Sequence, residues 1–228
     1  METNRVKLCE DIINTCLKMD TSGINQGTSG NLSVRYKNGF LITPSSMPYD
    51  EMKPEDIVEM NMDGEYVGKQ PSSEWRFHRD ILMNRKDINV VLHCHPINAT
   101  AIACHNKDIP AFHYIVGLAG GKNIRCAKYA TFGTQELSDN ALIALENRMA
   151  CLLGHHGMIC LGKTFKDAFF LGCEVESMSK IYVKALAIGN TNILSDEEMD
   201  KVVKQMERMS YGKGPEPEGT NNIAKPKK

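Results

Sequence analysis

The composition of this chain is that of a globular protein. Its 228 residues are 42% hydrophobic and 24% charged, which excludes intrinsic disorder, a collagen-like repeat and a disulfide-stapled miniprotein. At about 150 residues per domain, the length favours one large domain. Lysine and arginine number 27 against 28 aspartates and glutamates, giving a formal charge of −1. We therefore expect no nucleic-acid partner held by bulk charge, and any anion site must be local.

The N-terminal residues lack the uninterrupted apolar core of a signal peptide, and nowhere do about 18 apolar residues run together. We therefore expect a cytoplasmic protein with no membrane contact. The eight cysteines lie mostly inside apolar runs and form no C-x-x-C pair. We interpret them as reduced core thiols, since their irregular spacing disfavours a cysteine zinc site.

The first third of the chain alternates periodic segments with runs of glycine and small polar residues. Its predicted elements are, in order, a helix over 4–19, a loop over 22–31, strands over 32–36 and 40–43 joined at Asn38–Gly39, a hairpin over 57–68 turned at Asp63–Gly64, and a helix with serine caps from Pro71 to about Met83. The turn dipeptides and the capping residues fix these boundaries.

The remainder alternates helices with apolar strands. Its predicted elements are a strand over Ile88–His95, helices over Pro96–Cys104 and Glu136–Asn147, one buried strand over Cys151–Leu161, and helices over 164–188 and 195–209. Strands mixed with hairpins and helices indicate an α/β domain whose partly antiparallel sheet is covered by helices. We place this domain at residues 1–212, followed by a flexible tail over residues 213–228.

Two histidine pairs could bind one metal ion. His93 and His95 end a predicted strand, and because side chains two apart share a face of a strand, both imidazoles can point at one ion. A later predicted strand carries His155 and His156, which face opposite ways, so one of them could supply a third ligand. Two or three histidines with an open position fit catalytic zinc better than a closed structural site. The alternative is that these are structural histidines at strand ends.

Three loops of small residues provide candidate phosphate contacts. Glycines in Gly27–Asn31 permit close approach of the backbone to an anion, and Thr43–Ser46 is a second such loop. Ser72 and Ser73 precede a helix whose free amide groups suit a phosphate. Glu74 follows them, either as a functional carboxylate or as a first-turn residue that complements the helix dipole. Together with the histidines, these loops would form a site for a phosphorylated, metal-chelated substrate.

Other chemistries lack their signatures. The sequence contains no G-x-S-x-G nucleophile elbow, P-loop or dinucleotide fingerprint, and no basic surface interleaved with aromatic residues. Aldol chemistry through a lysine is compatible with the composition, although an isolated lysine is usually a solvated charge. We interpret His78, His105 and His113 as structural.

Six blocks of sequence together resemble one known family. They are N-Q-G-T-S-G-N-L-S-V-R at 25–35, L-I-T-P at 41–44, P-S-S-E-W-R-F-H at 71–78, H-C-H at 93–95, A-T-F-G-T at 130–134 and G-H-H-G at 154–157. Across about residues 4–212 the chain resembles the zinc-dependent class II aldolase and epimerase family. The resemblance implies a three-layer α/β/α fold with a central mixed, largely antiparallel sheet. It also implies a ring-like homotetramer with active sites at subunit interfaces.

The resemblance assigns roles to individual residues. It implies one zinc ion per subunit, held by His93, His95, His156 and, in the resting state, Glu74, which would also act as the acid/base. Tyr114 would reach in from a neighbouring subunit and donate a proton to the aldehyde oxygen. The remaining contacts implied are the phosphate ligands Gly30, Asn31, Ser45, Ser46, Ser72 and Ser73, and the aldehyde-pocket residues Phe132 and Tyr211.

The implied reaction is reversible aldol cleavage of L-fuculose 1-phosphate to dihydroxyacetone phosphate and L-lactaldehyde, with zinc as the Lewis acid. Two departures from the family pattern matter. Ser46 stands where the family often has glycine, which could alter the phosphate contact, and Arg208 stands where an aromatic residue is expected, which leaves the aldehyde open. A related substrate such as 5-deoxyribulose 1-phosphate is therefore an alternative. An L-ribulose-5-phosphate 4-epimerase is another, although the family's epimerases would have aspartate in place of Glu74. A non-catalytic module is disfavoured, because the related cytoskeletal head domains have lost the metal ligands that this chain keeps.

Overall fold

The computed structural model describes residues 2–209 and residue 211, and it is built on one mixed sheet of eight strands. The strands are β1 (Asn31–Tyr36), β2 (Gly39–Ile42), β3 (Val58–Asn61), β4 (Tyr66–Val67), β5 (Val90–Cys94), β6 (Arg125–Ala127), β7 (Ala150–Leu153) and β8 (Gly157–Gly162). Their order in the sheet is β4-β3-β2-β1-β5-β8-β7-β6. All neighbours are antiparallel except β6 and β7. The predicted α/β class and largely antiparallel sheet are confirmed.

Helices cover both faces of this sheet. They are α1 (Glu2–Thr21), α2 (Trp75–Asn84), α3 (Ile97–Ala103), α4 (Gln135–Ala144), α5 (Phe165–Ile188) and α6 (Asp196–Arg208). Neighbouring residues of β5 point to opposite faces, so that Leu92 lies in the core under α1, α3, α5 and α6, whereas Val91 lies in the core under α2 and α4. The sheet is therefore buried between two helical layers, as the resemblance implied.

The first hairpin turns one residue earlier than predicted. Lys37 and Asn38 form its turn, Lys37 with φ +49°, and Gly39 is already paired with Tyr36. Gly39 is needed for another reason, because a Cβ at this position would collide with the Met60 carbonyl of β3.

The prediction of a single strand over residues 151–161 is wrong. The segment forms two antiparallel strands, β7 and β8, with Leu153 opposite Gly157. His155 lies in the turn between them with φ +52°. Both arms are fully buried, and only the polar residues His155 and His156 interrupt the apolar run where the chain reverses direction.

The helix predicted from Pro71 begins later, at Trp75, with Glu74 as its N-cap residue. The hydroxyl of Ser72 accepts the amide hydrogen of Glu74 itself, at 3.3 Å, rather than capping the helix. The serines therefore lie in a loop before the helix, which leaves them available to a ligand.

The eight cysteines are free thiols, five of them buried, and burial raises the pKa of Cys16 and Cys151. Cys104 is exposed, which differs from the core position predicted for most of the cysteines. Within the described residues, no helix is both long and apolar enough to span a bilayer. The tail predicted over residues 213–228 lies outside the described residues.

Candidate metal centre and substrate cleft

Three histidines converge near the middle of the sheet. His93 lies in β5, His95 follows the end of that strand, and His156 lies in the turn between β7 and β8. Because β8 pairs with β5, with Cys94 opposite Met158, the turn is held beside the end of β5. One ligand atom from each imidazole lies within 4.8 Å of the others. Of the second histidine pair, His156 joins His93 and His95. His155 points elsewhere, and its Nε2 lies 2.8 Å from Asn106 Nδ2.

Glu74 completes this group from the other side. Its side chain is buried, with Oε2 3.0 Å from His93 Nε2 and Oε1 3.1 Å from His156 Nε2. Among the described residues, Oε1 is one of two buried side-chain polar atoms that lack a hydrogen bond. A buried carboxylate oxygen without a hydrogen bond is costly unless a cation or a ligand supplies its partner.

Hydrogen bonding fixes the tautomer of His93. Its Nδ1 lies 2.9 Å from the carbonyl oxygen of Met158, which can only accept, so Nδ1 carries the hydrogen. The Nε2 atom of His93 then faces both Glu74 and the Nε2 atom of His95, which is 2.9 Å away. A carbonyl partner on the far nitrogen is the arrangement typical of a metal-binding histidine.

The charge states of the other groups also suit a cation. Burial lowers the pKa of His95 to about 3 and that of His156 to about 4, so both rings are neutral at pH 7. Burial acts to raise the pKa of Glu74, but the imidazoles of His93 and His156 and the amide of Asn31 outweigh it and hold this pKa well below its ordinary value. The donor set is therefore three imidazoles, of which those of His95 and His156 are neutral, and one carboxylate.

This donor set fits a divalent ion of the zinc type. Ligands about 2.1 Å from a tetrahedral zinc ion lie about 3.4 Å from one another. Neighbouring ligand atoms here are 2.9 to 3.1 Å apart, and the ligand atoms of the three histidines all lie within 4.8 Å of one another. These distances lie on either side of the expected value of about 3.4 Å. The histidine group therefore has the chemistry and the spacing to hold a divalent metal.

A cleft of about 430 Å³ opens beside the histidines. The three small-residue loops meet in its wall, and Tyr129, Phe132 and His155 lie at the same opening. The predicted contact residues that line it are Gly30, Asn31, Ser45, Ser46, Ser72, Ser73 and Phe132.

The first of these loops is held in place by buried polar contacts. The Tyr49 hydroxyl donates to the Gly30 carbonyl at 2.7 Å, and the Asn25 amide donates to the Gly27 carbonyl at 3.1 Å. A Cβ on Gly30 would lie 2.9 Å from the carbonyl oxygen of His93. The loop therefore packs directly on β5, and only glycine fits at this point of contact.

The predicted residues Tyr114 and Tyr211 do not line the cleft of their own chain. Tyr114 begins a short 3-10 helix and is 46% exposed. It forms a hydrogen bond with Tyr211 that raises the pKa of Tyr211. One chain thus assembles the histidines, Glu74, the loops and Phe132, but leaves these two tyrosines at a separate surface.

Sequence reasoning interpreted His78 as structural and missed its connection to this site. His78 is fully buried and lies 2.6 Å from Asn31, which in turn contacts Glu74 at 2.9 Å. The available signal was the spacing of Glu74 and His78, because residues four apart share one face of a helix.

Known proteins share this arrangement of sequence and fold. The family model described as Class II Aldolase and Adducin N-terminal domain matches residues 10–183. The chain is 47% identical over 213 residues to the 5-methylthioribulose-1-phosphate/5-deoxyribulose-1-phosphate aldolase of Rhodospirillum rubrum, covering 93% of this chain and 96% of that protein. It is 46% identical over 214 residues to the L-fuculose phosphate aldolase of Escherichia coli K12, covering 93% and 98%. A solved L-fuculose 1-phosphate aldolase is 38% identical with a TM-score of 0.85, covering 88% of this chain and 96% of that one.

Proposed function

Because the chain belongs to the class II aldolase and adducin N-terminal domain family, and is a metal-dependent aldehyde-lyase acting on a sugar phosphate, we propose that it reversibly cleaves L-fuculose 1-phosphate. The products are dihydroxyacetone phosphate and L-lactaldehyde. The observation that carries this proposal is the meeting of three histidines and a buried glutamate with three phosphate-type loops in one cleft.

In this proposal His93, His95 and His156 hold one zinc ion, with Glu74 as the fourth ligand in the resting state. The ion, when bound, supplies Lewis-acid stabilisation of the negative charge that develops on the substrate oxygens as the carbon–carbon bond breaks. The unpartnered Oε1 atom of Glu74 supports a resting ligand at this position.

The phosphate group is bound by the loops. Gly30 and Asn31 offer backbone and amide hydrogens, and the pairs Ser45–Ser46 and Ser72–Ser73 offer hydroxyls from two adjacent loops of the same cleft. Neutral donors on fixed backbone orient the substrate without an added positive charge, as expected for a chain whose net charge is only −1.

Two residues move protons. In the direction of synthesis, Glu74 removes a proton from the hydroxymethyl carbon of dihydroxyacetone phosphate, and that carbon forms the new bond to the aldehyde carbon. Tyr114 of a neighbouring subunit donates its phenolic proton to the aldehyde oxygen. Synthesis leaves Glu74 protonated and Tyr114 as the phenolate, and proton exchange with water returns both groups to their starting states. In cleavage the same steps run in reverse.

A homotetramer with active sites at subunit interfaces accounts for the position of Tyr114. This tyrosine is half-exposed and lies away from its own cleft, which is what a residue that serves a neighbouring cleft requires. Phe132 at the cleft opening and Tyr211 beside Tyr114 would then enclose the aldehyde together.

The second candidate substrate is 5-deoxyribulose 1-phosphate. It is supported by the 47% identity to the Rhodospirillum rubrum aldolase, which is close to the 46% identity to the L-fuculose phosphate aldolase. Both substrates release dihydroxyacetone phosphate and differ only in the aldehyde. Glu74 disfavours the L-ribulose-5-phosphate 4-epimerase alternative.

The test is release of dihydroxyacetone phosphate by purified protein from each ketose 1-phosphate, with and without a chelator, beside an epimerisation assay on L-ribulose 5-phosphate. We expect chelator-sensitive release, with the highest kcat/KM for L-fuculose 1-phosphate. A higher kcat/KM for 5-deoxyribulose 1-phosphate would assign the second candidate, and epimerisation without release would refute the aldolase proposal.

A further inference from the structure

We infer that His78 is a positioning residue that orients Glu74 through the side chain of Asn31, an inference that rests on the proposed role of Glu74. Three short contacts form a chain of hydrogen bonds. Ser33 Oγ lies 2.7 Å from His78 Nδ1, His78 Nε2 lies 2.6 Å from Asn31 Oδ1, and Asn31 Nδ2 lies 2.9 Å from Glu74 Oε2.

Two elements build this chain by their regular spacing. Asn31 and Ser33 are two apart on β1 and share a face of the strand. Glu74 and His78 are four apart at the start of α2 and share a face of the helix. Two polar side chains of β1 therefore face two polar side chains at the start of α2, and the four are joined by hydrogen bonds.

The direction of every hydrogen bond follows from the ionised carboxylate. Glu74 can only accept, so Asn31 must turn its amide nitrogen toward Glu74 and its oxygen toward His78. His78 Nε2 must then carry the ring hydrogen, which leaves Nδ1 as an acceptor. Ser33 in turn donates its hydroxyl hydrogen to Nδ1. One tautomer and one amide orientation satisfy all four residues.

Burial makes this arrangement rigid. Ser33 and His78 are fully buried and Asn31 is 5% exposed, so water does not offer alternative partners. The imidazole of His78 also stacks on the ring of Phe77 at 4.7 Å between centroids. In an apolar environment a single unmatched polar atom would be costly, which disfavours rotation of the Asn31 amide.

The arrangement links the acid/base to the phosphate loop. Asn31 donates one amide hydrogen to Glu74, and Asn31 also lines the cleft into which the proposed phosphate would bind. His78 therefore fixes one side chain that serves both the carboxylate and the bound phosphate. Losing this support should lower kcat, and should also raise KM for the phosphorylated substrate.

The experiment compares four variants of the zinc-loaded protein. His78→Phe keeps a ring of similar shape but removes both nitrogens, whereas His78→Gln keeps a donor that can reach Asn31. Ser33→Ala removes only the outermost donor. The matched control is Ser138→Ala, which removes a buried hydroxyl whose 2.6 Å bond to Asp80 lies outside this network.

We expect His78→Phe to lower kcat/KM by about 10- to 100-fold, the range measured when residues that orient metal ligands are removed. His78→Gln should recover much of this loss, and Ser33→Ala should lose less. Ser138→Ala should change kcat/KM by less than about twofold. Retention of kcat/KM within twofold by His78→Phe, in a protein with normal circular dichroism, would overturn the inference.

A double-mutant cycle separates positioning from general damage. In an Asn31→Ala background, His78→Phe should cause no further loss of kcat, because its effect passes through the amide that has been removed. Fully additive losses would show that His78 acts by another route and would overturn the inference.

Two readouts do not depend on any substrate. Nitrogen-15 NMR of histidine-labelled protein should show His78 as the Nε2–H tautomer, and the Nδ1–H tautomer would overturn the inference even if His78→Phe fails to fold. Zinc affinity, measured by competition with a chelating dye, should fall in His78→Phe but not in Ser138→Ala. Wild-type protein that binds zinc but cleaves no ketose phosphate would instead refute the proposed function.

Discussion

Replacing Gly157 with alanine should displace His95 and weaken the metal centre. Gly157 begins β8, and a Cβ at this position would lie 2.6 Å from His95 Cδ2 and 2.6 Å from the Cys94 carbonyl oxygen. Carbon atoms in contact are about 3.5 Å apart, so the imidazole must move by about 0.9 Å. The carbonyl belongs to the β5–β8 pairing and yields less readily than the ring.

The magnitude follows from that displacement. Overpacking of a buried site costs about 1–3 kcal/mol of folding stability, which a domain of this size can survive. A shift near 1 Å in a catalytic constellation costs on the order of a hundredfold in rate. We therefore expect Gly157→Ala to fold, to bind zinc at least about tenfold more weakly, and to lose about a hundredfold in kcat/KM.

The matched control is Gly172→Ala within α5. A Cβ there would lie 3.3 Å from Cδ1 of Ile24 and 3.7 Å from Leu92, and alanine is favoured over glycine in a helix by about 1 kcal/mol. This variant should keep its zinc affinity, and its unfolding midpoint should be no lower than that of wild type. The assays are chelator competition, urea unfolding and dihydroxyacetone phosphate release. Wild-type zinc affinity and turnover in Gly157→Ala would refute the reasoning.

Four further outcomes are expected. Glu74→Gln should retain part of its zinc yet lose most turnover, and near-normal turnover in the purified variant would contradict the acid/base assignment. Subunits carrying Tyr114→Phe, mixed with Glu74→Gln subunits under verified exchange, should regain activity above either parent, because some interfaces then pair two intact groups. Ser46 has φ +57°, a backbone conformation in which glycine is unstrained, so Ser46→Gly removes the hydroxyl without straining the backbone. The free energy of unfolding should stay within about 1 kcal/mol of wild type, whereas KM should rise. An unchanged KM would remove Ser46 from the phosphate contacts. Burial acts to raise the pKa of Asp80, but hydrogen bonds, led by the one from Arg79, lower this pKa overall. Ionised Asp80 therefore stabilises the fold above its unfolded-state pKa of about 3.9. This stabilisation is lost as the pH falls through the pKa of Asp80 in the folded protein. Asp80→Asn should therefore be less stable than wild type by about 1–3 kcal/mol at pH 7, and equal losses in urea unfolding at pH 7 and pH 3 would contradict that sign.

Local patterns predicted most elements because each carried its own periodicity. The predicted helices over 4–19 and 164–188 correspond to α1 and α5, and the hairpin over 57–68 corresponds to β3 and β4. The predictions of secondary structure failed where contacts between distant segments determine the course of the chain. The reversal at His155 coincides with the G-H-H-G block at 154–157, which is short enough to fit within one strand, and pairing in the sheet shows that two strands meet there.

The parts of the candidate site that could be predicted are those whose residues lie at a regular spacing along a single strand or helix. The positions of His93 and His95, two apart at a strand end, indicated a shared ligand direction that the structure bears out. The hydrogen bond between Asn31 and His78 could not be predicted, because it depends on how α2 packs across β1. Tyr114 lies away from the cleft of its own chain, which the family resemblance implied but no local pattern indicates, because its position is set by the packing of distant segments.

The strand order has a consequence for how the chain folds during synthesis. β5 lies between β1, which precedes it, and β8, which is made more than sixty residues later. Until residues 157–162 leave the ribosome, one edge of β5, a central strand that is fully buried in the finished fold, has no partner within the sheet. Such open edges are the sites at which growing chains aggregate, and pairing over long sequence separation is slow. The nascent protein is therefore most vulnerable between completion of β5 and arrival of β8, the interval in which a chaperone would contribute most.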